Sequence, residues 1–137
     1  MGGPALRQLN AHHAIHEGGL TGAKDKTEEF ERLFALGETE AAVLAAEHLL
    51  DYWETRILSH ADAEEEGFYQ EMEAKRPELA QSVVQLARDH DLLRIMVKDL
   101  RTMLAEEGLT EELIHHFHAL VVVNAIHSRE EERLLFN

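Results

Sequence analysis

Histidine and glutamate recur at a fixed spacing in two places of a chain that contains ten histidines and no cysteine. His60 is followed by Glu64, and His127 is followed by Glu131. On an α-helix, positions i and i+4 lie on one face about one turn apart, so each pair can present an imidazole and a carboxylate to the same point. Both groups are ligands of first-row metal ions. The two pairs therefore predict a metal site with nitrogen and oxygen ligands.

The composition excludes several other kinds of site. The 137 residues include no cysteine, which rules out disulfides, thiolate zinc sites, cysteine-bound iron–sulfur clusters and thiol catalysis. The formal net charge of −14 argues against nucleic acid and anionic membranes as partners, because both need a basic surface. The chain has no signal-peptide pattern near Met1 and no run of about 20 apolar residues. We therefore expect a cytoplasmic protein that does not bind a membrane.

Four helices are needed to position these residues, and residues that suit helix ends indicate where each helix begins and stops. Proline suits the first turn of a helix, glycine its C-terminal end and threonine its N-cap. Such residues are Pro4, Gly37, Thr39, Pro77, Gly108 and Thr110. They predict helices at about 4–36, 39–73, 77–107 and 110–135. Because short connections make consecutive helices antiparallel, we expect an all-α, up-down-up-down four-helix bundle that forms one domain over residues 1–137.

The apolar periodicity of the helices predicts that the candidate ligands face the core of that bundle. The apolar stripe of the second helix is centred between the directions of His60 and Glu64. In the third helix His90 falls within the apolar stripe, and in the fourth helix apolar residues bracket His127. The first helix has the weakest pattern, because it contains three glycines that could break or kink it: Gly18, Gly19 and Gly22.

The candidate residues also lie at one height, which is an independent test of their convergence. Residues of antiparallel neighbours are level when they are equally distant from the turn between them. Counted from the turn between the third and fourth helices, His90 is level with His127. Counted from the turn between the second and third helices, the levels of His60 and Glu64 bracket His90. The corresponding stretch of the first helix contains three histidines, which we rank as ligands in the order His16, His12 and His13.

The converging residues form a ligand set of nitrogen and oxygen atoms. The set consists of His12, His16, His60, Glu64, His90, His127 and Glu131. A lone buried histidine is more often a hydrogen-bonded core residue, but two buried carboxylates among histidines would be costly without a compensating cation. So many ligands exceed the needs of one tetrahedral zinc and suit two octahedral first-row ions, iron above all, with manganese or zinc as substitutes. A ferritin-like site is disfavoured, because it needs Glu-x-x-His on two helices and this pattern occurs once, at Glu112–His115.

The order of these elements resembles the hemerythrin-like (HHE cation-binding) family over essentially the whole chain. The matching elements are a histidine near the start of the first helix, His60-x3-Glu64 on the second, His90 on the third and His127-x3-Glu131 on the fourth. The resemblance implies a non-haem di-iron centre with an oxo or hydroxo bridge, in which the two glutamates bridge the irons and histidines cap them. It also implies a small ligand (O2, NO or peroxide) and a role in sensing, stress protection or iron handling.

Departures from the oxygen-carrying hemerythrins leave the activity open. Those proteins have His-x3-His on the third helix, where this chain has Arg94 after His90, and His-x4-Asp on the last helix, where this chain has His127-x3-Glu131. The iron–sulfur repair members share the glutamate pattern but add a cysteine-bearing domain. A di-iron redox enzyme with peroxidase- or oxidase-like activity is therefore the main alternative. A metal-free helical interaction module is a third possibility.

Several residues near the motifs have weaker claims to the site. Four histidines lie about two to three turns from the predicted level and are expected to have surface or packing roles: His48, His115, His116 and His118. Four glutamates fall off the inward stripe and are expected to be solvated: Glu65, Glu66, Glu130 and Glu132. Trp53 and Phe68 are expected in the core. For Arg94 we favour a side chain extended into solvent over one that pairs with a ligand carboxylate or a bound anion.

Overall fold

Residues 9–136 are described by a computed structural model, and all regular structure in this range is helical. Helix α1 comprises Leu9–Ala35. A 3-10 turn at Pro77–Leu79 leads into helix α3, Ala80–Glu107, and helix α4 comprises Glu111–Leu135. Helix α2 runs without a break through Thr39–Tyr52, Trp53–Leu58, Ser59–Ala63, Glu64–Phe68 and Tyr69–Lys75. The four predicted helices are present, while the predicted beginning of the first, near Pro4, lies outside the described residues. None of these helices is long and apolar enough to cross a membrane.

Two glycines and a threonine define helix ends as the sequence predicts. Gly37 and Gly108 follow α1 and α3 with φ angles of 73°, a left-handed conformation in which a side chain would be strained. Thr110 caps α4, since its hydroxyl accepts a hydrogen bond from the Leu113 amide at 3.4 Å. The connections are therefore short, and they bring the ends of consecutive helices together.

The expected N-cap of α2 is the exception. Thr39 is the first residue of the helix rather than its cap, and Glu38 occupies the cap position without a capping hydrogen bond from its side chain. The Glu38 amide donates to the Leu33 carbonyl at 3.1 Å, which closes the turn earlier than the threonine pattern suggests. The prediction of a Thr39 cap is therefore wrong.

Two stretches of α2 are π-helix, which a regular apolar periodicity does not predict. They comprise Trp53–Leu58 and Glu64–Phe68, on either side of Ser59–Ala63. A π turn contains an extra residue, so it rotates the residues after it relative to a regular α-helix, and such turns are frequent at functional sites. Because the second stretch begins at Glu64, it changes the direction of the side chains that follow.

The packing of the helices leaves two apolar clusters in the interior. Helix α1 contacts α2 and α4, and α3 contacts α2 and α4, which is compatible with the predicted up-down-up-down arrangement. The larger cluster includes Phe30, Trp53 and Phe117, and the smaller one includes Phe68 and Leu135. The burial of Trp53 and Phe68 confirms their predicted place in the core. On α2, α3 and α4, the predicted metal ligands lie along the chain between the residues of the two clusters.

Helix α1 continues through its glycines rather than breaking at them. Gly22 allows a close approach to α2, because a Cβ atom at this position would lie 2.2 Å from the Tyr52 hydroxyl. That hydroxyl donates a 2.8 Å hydrogen bond to the Gly19 carbonyl. The glycines therefore serve the packing of α1 against α2, on the level just beyond the predicted metal ligands.

Candidate metal centre

All seven predicted ligands meet in the interior of the bundle. Those most deeply buried, at 4% exposure or less, are His12, Glu64, His90, His127 and Glu131. The side chains of His16 and His60 are 8% and 19% exposed. The seven residues form two groups, each of which could hold a metal ion, and Glu64 belongs to both. Every helix contributes at least one member.

The first group surrounds one oxygen of Glu64 with three imidazoles. Their Nε2 atoms lie close to Glu64 Oε2, at 3.0 Å for His12, 3.2 Å for His60 and 3.6 Å for His16. Glu131 Oε1 approaches from α4, at 2.5 Å from His12 Nε2 and 3.1 Å from His16 Nε2. Three ring nitrogens and two carboxylate oxygens therefore converge on one place, as the ligands of a metal ion do.

The second group uses the other oxygen of each glutamate. Glu64 Oε1 lies 3.2 Å from His90 Nε2, and Glu131 Oε2 lies 3.6 Å from His127 Nε2. The His90 and His127 rings are neighbours, with their centroids 4.5 Å apart. Because each carboxylate presents one oxygen to each group, Glu64 and Glu131 could both bridge a pair of adjacent ions.

Carboxylates hold the outer nitrogen of three of these imidazoles. The Nδ1 contacts are His90 with Glu65 at 2.6 Å, His127 with Asp89 at 2.8 Å and His16 with Glu132 at 3.1 Å. A carboxylate on Nδ1 fixes the tautomer and the orientation of the ring, and it leaves Nε2 free to bind a metal. Such pairs accompany most metal-binding histidines, so this outer ring of acids is consistent with a metal centre.

The outer carboxylates were only partly foreseeable. The prediction that Glu65 and Glu132 are solvated is wrong, because both are half-buried against histidines. Glu65 turns inward because a π turn begins at Glu64, and Glu132 faces α1, which packs against α4. Asp89 could be identified from the sequence as a neighbour of His127, since the two residues are nearly level when residues are counted from the turn between α3 and α4.

Tyr69 is a further site residue that the sequence motifs do not identify. Its buried hydroxyl donates a short hydrogen bond to Glu131 Oε2 and lies 3.5 Å from His90 Nε2. Its ring stacks on the His90 ring at an interplanar angle of 6°. Burial, together with the negative charges of Glu131 and Glu64, raises the pKa of the Tyr69 hydroxyl, so this group remains a proton donor. Tyr69 therefore orients one of the two shared carboxylates.

The charged groups of the site shift the pKa values of one another. Burial alone would lower the pKa of His12, but the adjacent carboxylates of Glu131 and Glu64 raise it from 6.5 to about 9. For His16 and His127 too, burial lowers the pKa and neighbouring carboxylates raise it by more. The resulting pKa is about 10 for His16 and about 9 for His127. Burial and the charge of Glu64 favour the neutral form of Glu131, yet the histidines lower its pKa to about 2. In the metal-free protein, protons on imidazoles therefore balance the buried carboxylates at neutral pH.

Three buried polar atoms of the site form no hydrogen bond within residues 9–136. They are His60 Nε2, Glu64 Oε2 and His127 Nε2. Because buried polar atoms in native proteins are nearly always hydrogen-bonded, each such atom needs a physical explanation. All three belong to the two groups, where one cation in each group would satisfy them. The residues present therefore fit a metal ion in each group.

Binding of a metal is expected to release protons at neutral pH. His12 and His16 carry protons at pH 7 in the metal-free protein, and a metal needs the same Nε2 lone pairs. Metal affinity should therefore increase as the pH rises from 6.5 toward 9. The stability that the metal-free protein gains from these raised pKa values is complete below pH 6.5 and is lost as the pH rises through about 9 to 10.

Calorimetric metal titrations at pH 7 in two buffers of different ionisation enthalpy would measure the protons released. Melting curves of the metal-free protein at pH 6.5 and pH 9 would measure the loss of stability. A proton release near zero, together with equal melting temperatures at the two pH values, would contradict this picture of the site.

The other predicted residues lie outside the two groups. His13, the histidine of α1 that ranked third, is 57% exposed and contacts Glu132 at 2.9 Å. The histidines expected elsewhere lie at or near the surface, as predicted: His48, His115, His116 and His118. We expected the Arg94 side chain to extend into solvent. Instead it pairs at 2.6 to 2.9 Å with three acidic residues: Asp62, Glu65 and Asp91. It does not pair with a ligand carboxylate, but through Glu65 it supports His90.

Comparison with known proteins gives no relative for this chain. No family model matches it, and neither a curated protein nor a solved structure matches it significantly. The interpretation of the site therefore depends on its own geometry and chemistry.

Proposed function

We propose that this protein is a hemerythrin-like, non-haem di-iron protein of the cytoplasm, built as an up-down-up-down four-helix bundle. The observation that carries the proposal is the pair of His/Glu groups that share Glu64. The two oxygens of Glu64 face different groups, and so do those of Glu131. Two carboxylates that bridge a pair of ions need this arrangement. The two His-x3-Glu motifs and the unsatisfied buried atoms support the same conclusion.

Iron is proposed because of the number and type of the ligands. The first group offers three nitrogens and an oxygen of Glu64, with Glu131 Oε1 beside them, and the second offers two nitrogens and two oxygens. Ions of octahedral preference fill their remaining positions with solvent or a small ligand, whereas a structural zinc site is closed at four ligands. Manganese and zinc are the expected substitutes where iron is scarce.

The proposed activity is binding of, or reaction with, a small ligand: O2, NO or peroxide. Bound iron would supply open coordination positions and redox chemistry. The protein's residues would hold the ions in a buried place, orient the shared carboxylates and limit the access of water. A cavity that reaches both groups also favours the alternative of a peroxidase- or oxidase-like enzyme. Peroxide titration distinguishes the two, because an enzyme consumes many equivalents per centre and a binding protein about one.

The protein is expected not to be a reversible oxygen carrier. Helix α3 supplies the second group with His90 alone, because Arg94 is directed to acidic residues outside the site. Both His12 and His16 belong to the first group, so they do not replace the missing imidazole. An ion held by the second group would therefore keep an additional open position, which would favour turnover or autoxidation over stable oxygen binding.

This expectation is tested by reducing the iron-loaded protein without oxygen, admitting O2 and following the absorption spectrum. We expect rapid conversion to the oxidised spectrum, with no return under vacuum. Arg94→His restores the His-x3-His spacing of the carriers and is expected to slow the conversion. A spectrum that forms with O2 in the wild type and disappears under vacuum through repeated cycles would show that the protein is a carrier after all.

A further inference from the structure

Four large apolar side chains form an exposed patch on the outer side of α3 and α4. Their exposed fractions range from 39% to 57%: Leu92, Ile95, Val122 and Ile126. Half of the exposed large apolar residues of the described region belong to this patch. Single exposed apolar residues are ordinary on a protein surface, whereas a contiguous group of them indicates an interaction surface.

The alignment of α3 and α4 brings the four side chains together. The two helices meet at their short connection and again at the ring contact of His90 and His127, whose centroids are 4.5 Å apart, so they are antiparallel. Ile95 lies five residues after the histidine of α3, and Val122 lies five residues before that of α4. These two residues are therefore level, and the other two members of the patch are level to within one residue by the same count. The patch thus covers about one turn of each helix.

Helical phase directs the patch outward. Leu92 lies about 160° around α3 from Arg94, whose ion pairs with acids of α2 mark the flank that faces α2. On α4, Ile126 lies about 120° from Glu132, which contacts His16 of α1. Leu92 and Ile126 are therefore turned toward the joint outer surface of α3 and α4, and their exposure shows that no described helix covers it.

Charged residues of opposite sign flank the patch along α3. Arg88 precedes Leu92 by four residues, and Asp99 follows Ile95 by four residues. At about 100° per residue, all four lie within about 60° of one another and form one stripe along the outer face of the helix. Both charged residues are exposed, and neither forms an ion pair within residues 9–136. The stripe therefore has the order basic, apolar, apolar, acidic, with a spacing that is symmetric about its midpoint.

We propose that this surface binds a second copy of the chain, in a dimer whose two-fold axis lies across α3. The α3 helices of the two copies then run antiparallel and face to face. Arg88 of each copy lies opposite Asp99 of the other copy, and the apolar residues between them meet in the centre. The symmetric spacing of the stripe allows all of these contacts to form at once.

Charge disfavours the other two-fold arrangement of the same surface. In that arrangement the helices of the two copies run parallel, and α3 of one copy faces α4 of the other. Arg88 would then lie opposite Arg129, because the two are level when residues are counted from the contact of His90 and His127. Like charges that face each other across an interface are costly. The antiparallel arrangement is therefore the one that the charges favour.

The extent of the surface suits a reversible dimer. From Val84 to Glu106 the outer face of α3 is about 33 Å long, and two adjacent helices are about 20 Å wide. Each copy would therefore bury about 650 Å², near the lower limit of specific interfaces. The net charge of −14 on each copy opposes association. We therefore expect a dissociation constant of about 1 to 100 µM. This value does not depend on the metal centre, because the patch and the metal ligands lie on opposite sides of α3 and α4.

Charge reversal tests whether Arg88 and Asp99 meet across the interface, with sedimentation velocity of the full chain as the measurement. Arg88→Asp places two aspartates opposite each other at both ends of the interface, and it should weaken the dimer about tenfold or more. Asp99→Arg should have the same effect. The double variant, Arg88→Asp with Asp99→Arg, exchanges the charges and should restore the affinity to within about threefold of the wild type.

Ile95→Glu tests the apolar centre of the patch. It would bury an unpaired carboxylate from each copy, so it should weaken the dimer about 100-fold or more. Leu44→Glu is the matched control, because Leu44 is an apolar residue of α2 that is exposed to a similar extent but lies outside the patch. It should leave the dissociation constant unchanged. All of these residues are exposed, so the variants are expected to fold with the melting temperature of the wild type.

Three outcomes would overturn the proposal. The first is a wild type that remains monomeric up to about 500 µM, which would leave the patch to a different protein. The second is a dimer that Ile95→Glu does not weaken, or that Leu44→Glu weakens equally, since its interface would lie on another face. The third is a double variant as weak as the two single reversals, since Arg88 and Asp99 would then not meet. A wild type that dimerises as proposed but binds no iron would contradict the proposed function alone.

Discussion

Loading the metal-free protein with iron is expected to raise its melting temperature by about 10 °C or more. Without a metal, Glu64 and Glu131 are ionised in the core and are balanced by protonated histidines, and three polar atoms lack hydrogen bonds. Ions bound by these groups in the folded state alone stabilise it by mass action, by about 4 kcal/mol at a concentration 1,000 times the dissociation constant. For a domain of this size, 1 kcal/mol shifts the melting temperature by roughly 2 to 8 °C.

The control for this experiment is a cation that the site does not suit. Magnesium neutralises an acidic surface as iron does, but it prefers oxygen ligands and keeps its own water. Calorimetric scans of the metal-free protein with iron(II) under anaerobic conditions should therefore show a large shift, and scans with magnesium a small one. Equal shifts would assign the effect to the net charge of −14 rather than to the buried centre.

Replacing Glu64 by glutamine is expected to abolish the binding of both metal ions. Glu64 belongs to both groups, with Oε2 near three imidazoles and Oε1 near His90. Glutamine keeps the size of the side chain but removes the charge and one of the two ligand oxygens. Loss of an outer partner of a metal ligand typically lowers affinity by 10- to 100-fold, so loss of a shared ligand should lower it by more than about 100-fold.

Two further variants make the result specific. His60→Gln removes a ligand of the first group alone, so it should retain about one ion per chain. Glu66→Gln removes an exposed carboxylate from the same helix and should retain the wild-type content. Elemental analysis of the three folded variants measures the outcome. A Glu64→Gln protein with wild-type metal content would show that Glu64 does not bridge the ions.

The residues that converge in the structure could be chosen from the sequence, because their selection rested on two independent properties. Helical phase turned His60, Glu64 and His127 inward, and counting from the turns placed His90 level with His127. Both properties are set by regular helix geometry and short connections. The connections are short, and the described helices are regular apart from the two π stretches of α2 and the 3-10 turn before α3. Along α1, the ranking of His16 and His12 above His13 agrees with their burial.

The surroundings of those residues were harder to predict, since they depend on departures from regular geometry. The π turn that begins at Glu64 rotates the end of α2, so that Glu65 reaches His90 and Tyr69 reaches Glu131. A constant angle per residue cannot anticipate this rotation. The helix-capping pattern failed at Thr39 for a similar reason, because a backbone hydrogen bond closes that turn before a side chain is needed.

The number of iron ions bound per chain distinguishes a di-iron centre from a single-metal site or a metal-free bundle. The wild-type protein would be produced in iron-replete cells, purified without chelators and analysed for iron, zinc and manganese against its protein concentration. We expect about two iron ions per chain and, in the oxidised protein, the near-ultraviolet absorption of an oxo-bridged pair. The geometry behind this prediction is the two His/Glu groups that share Glu64. A single tetrahedral zinc per chain, or a folded protein that binds no metal after iron is added, would contradict it.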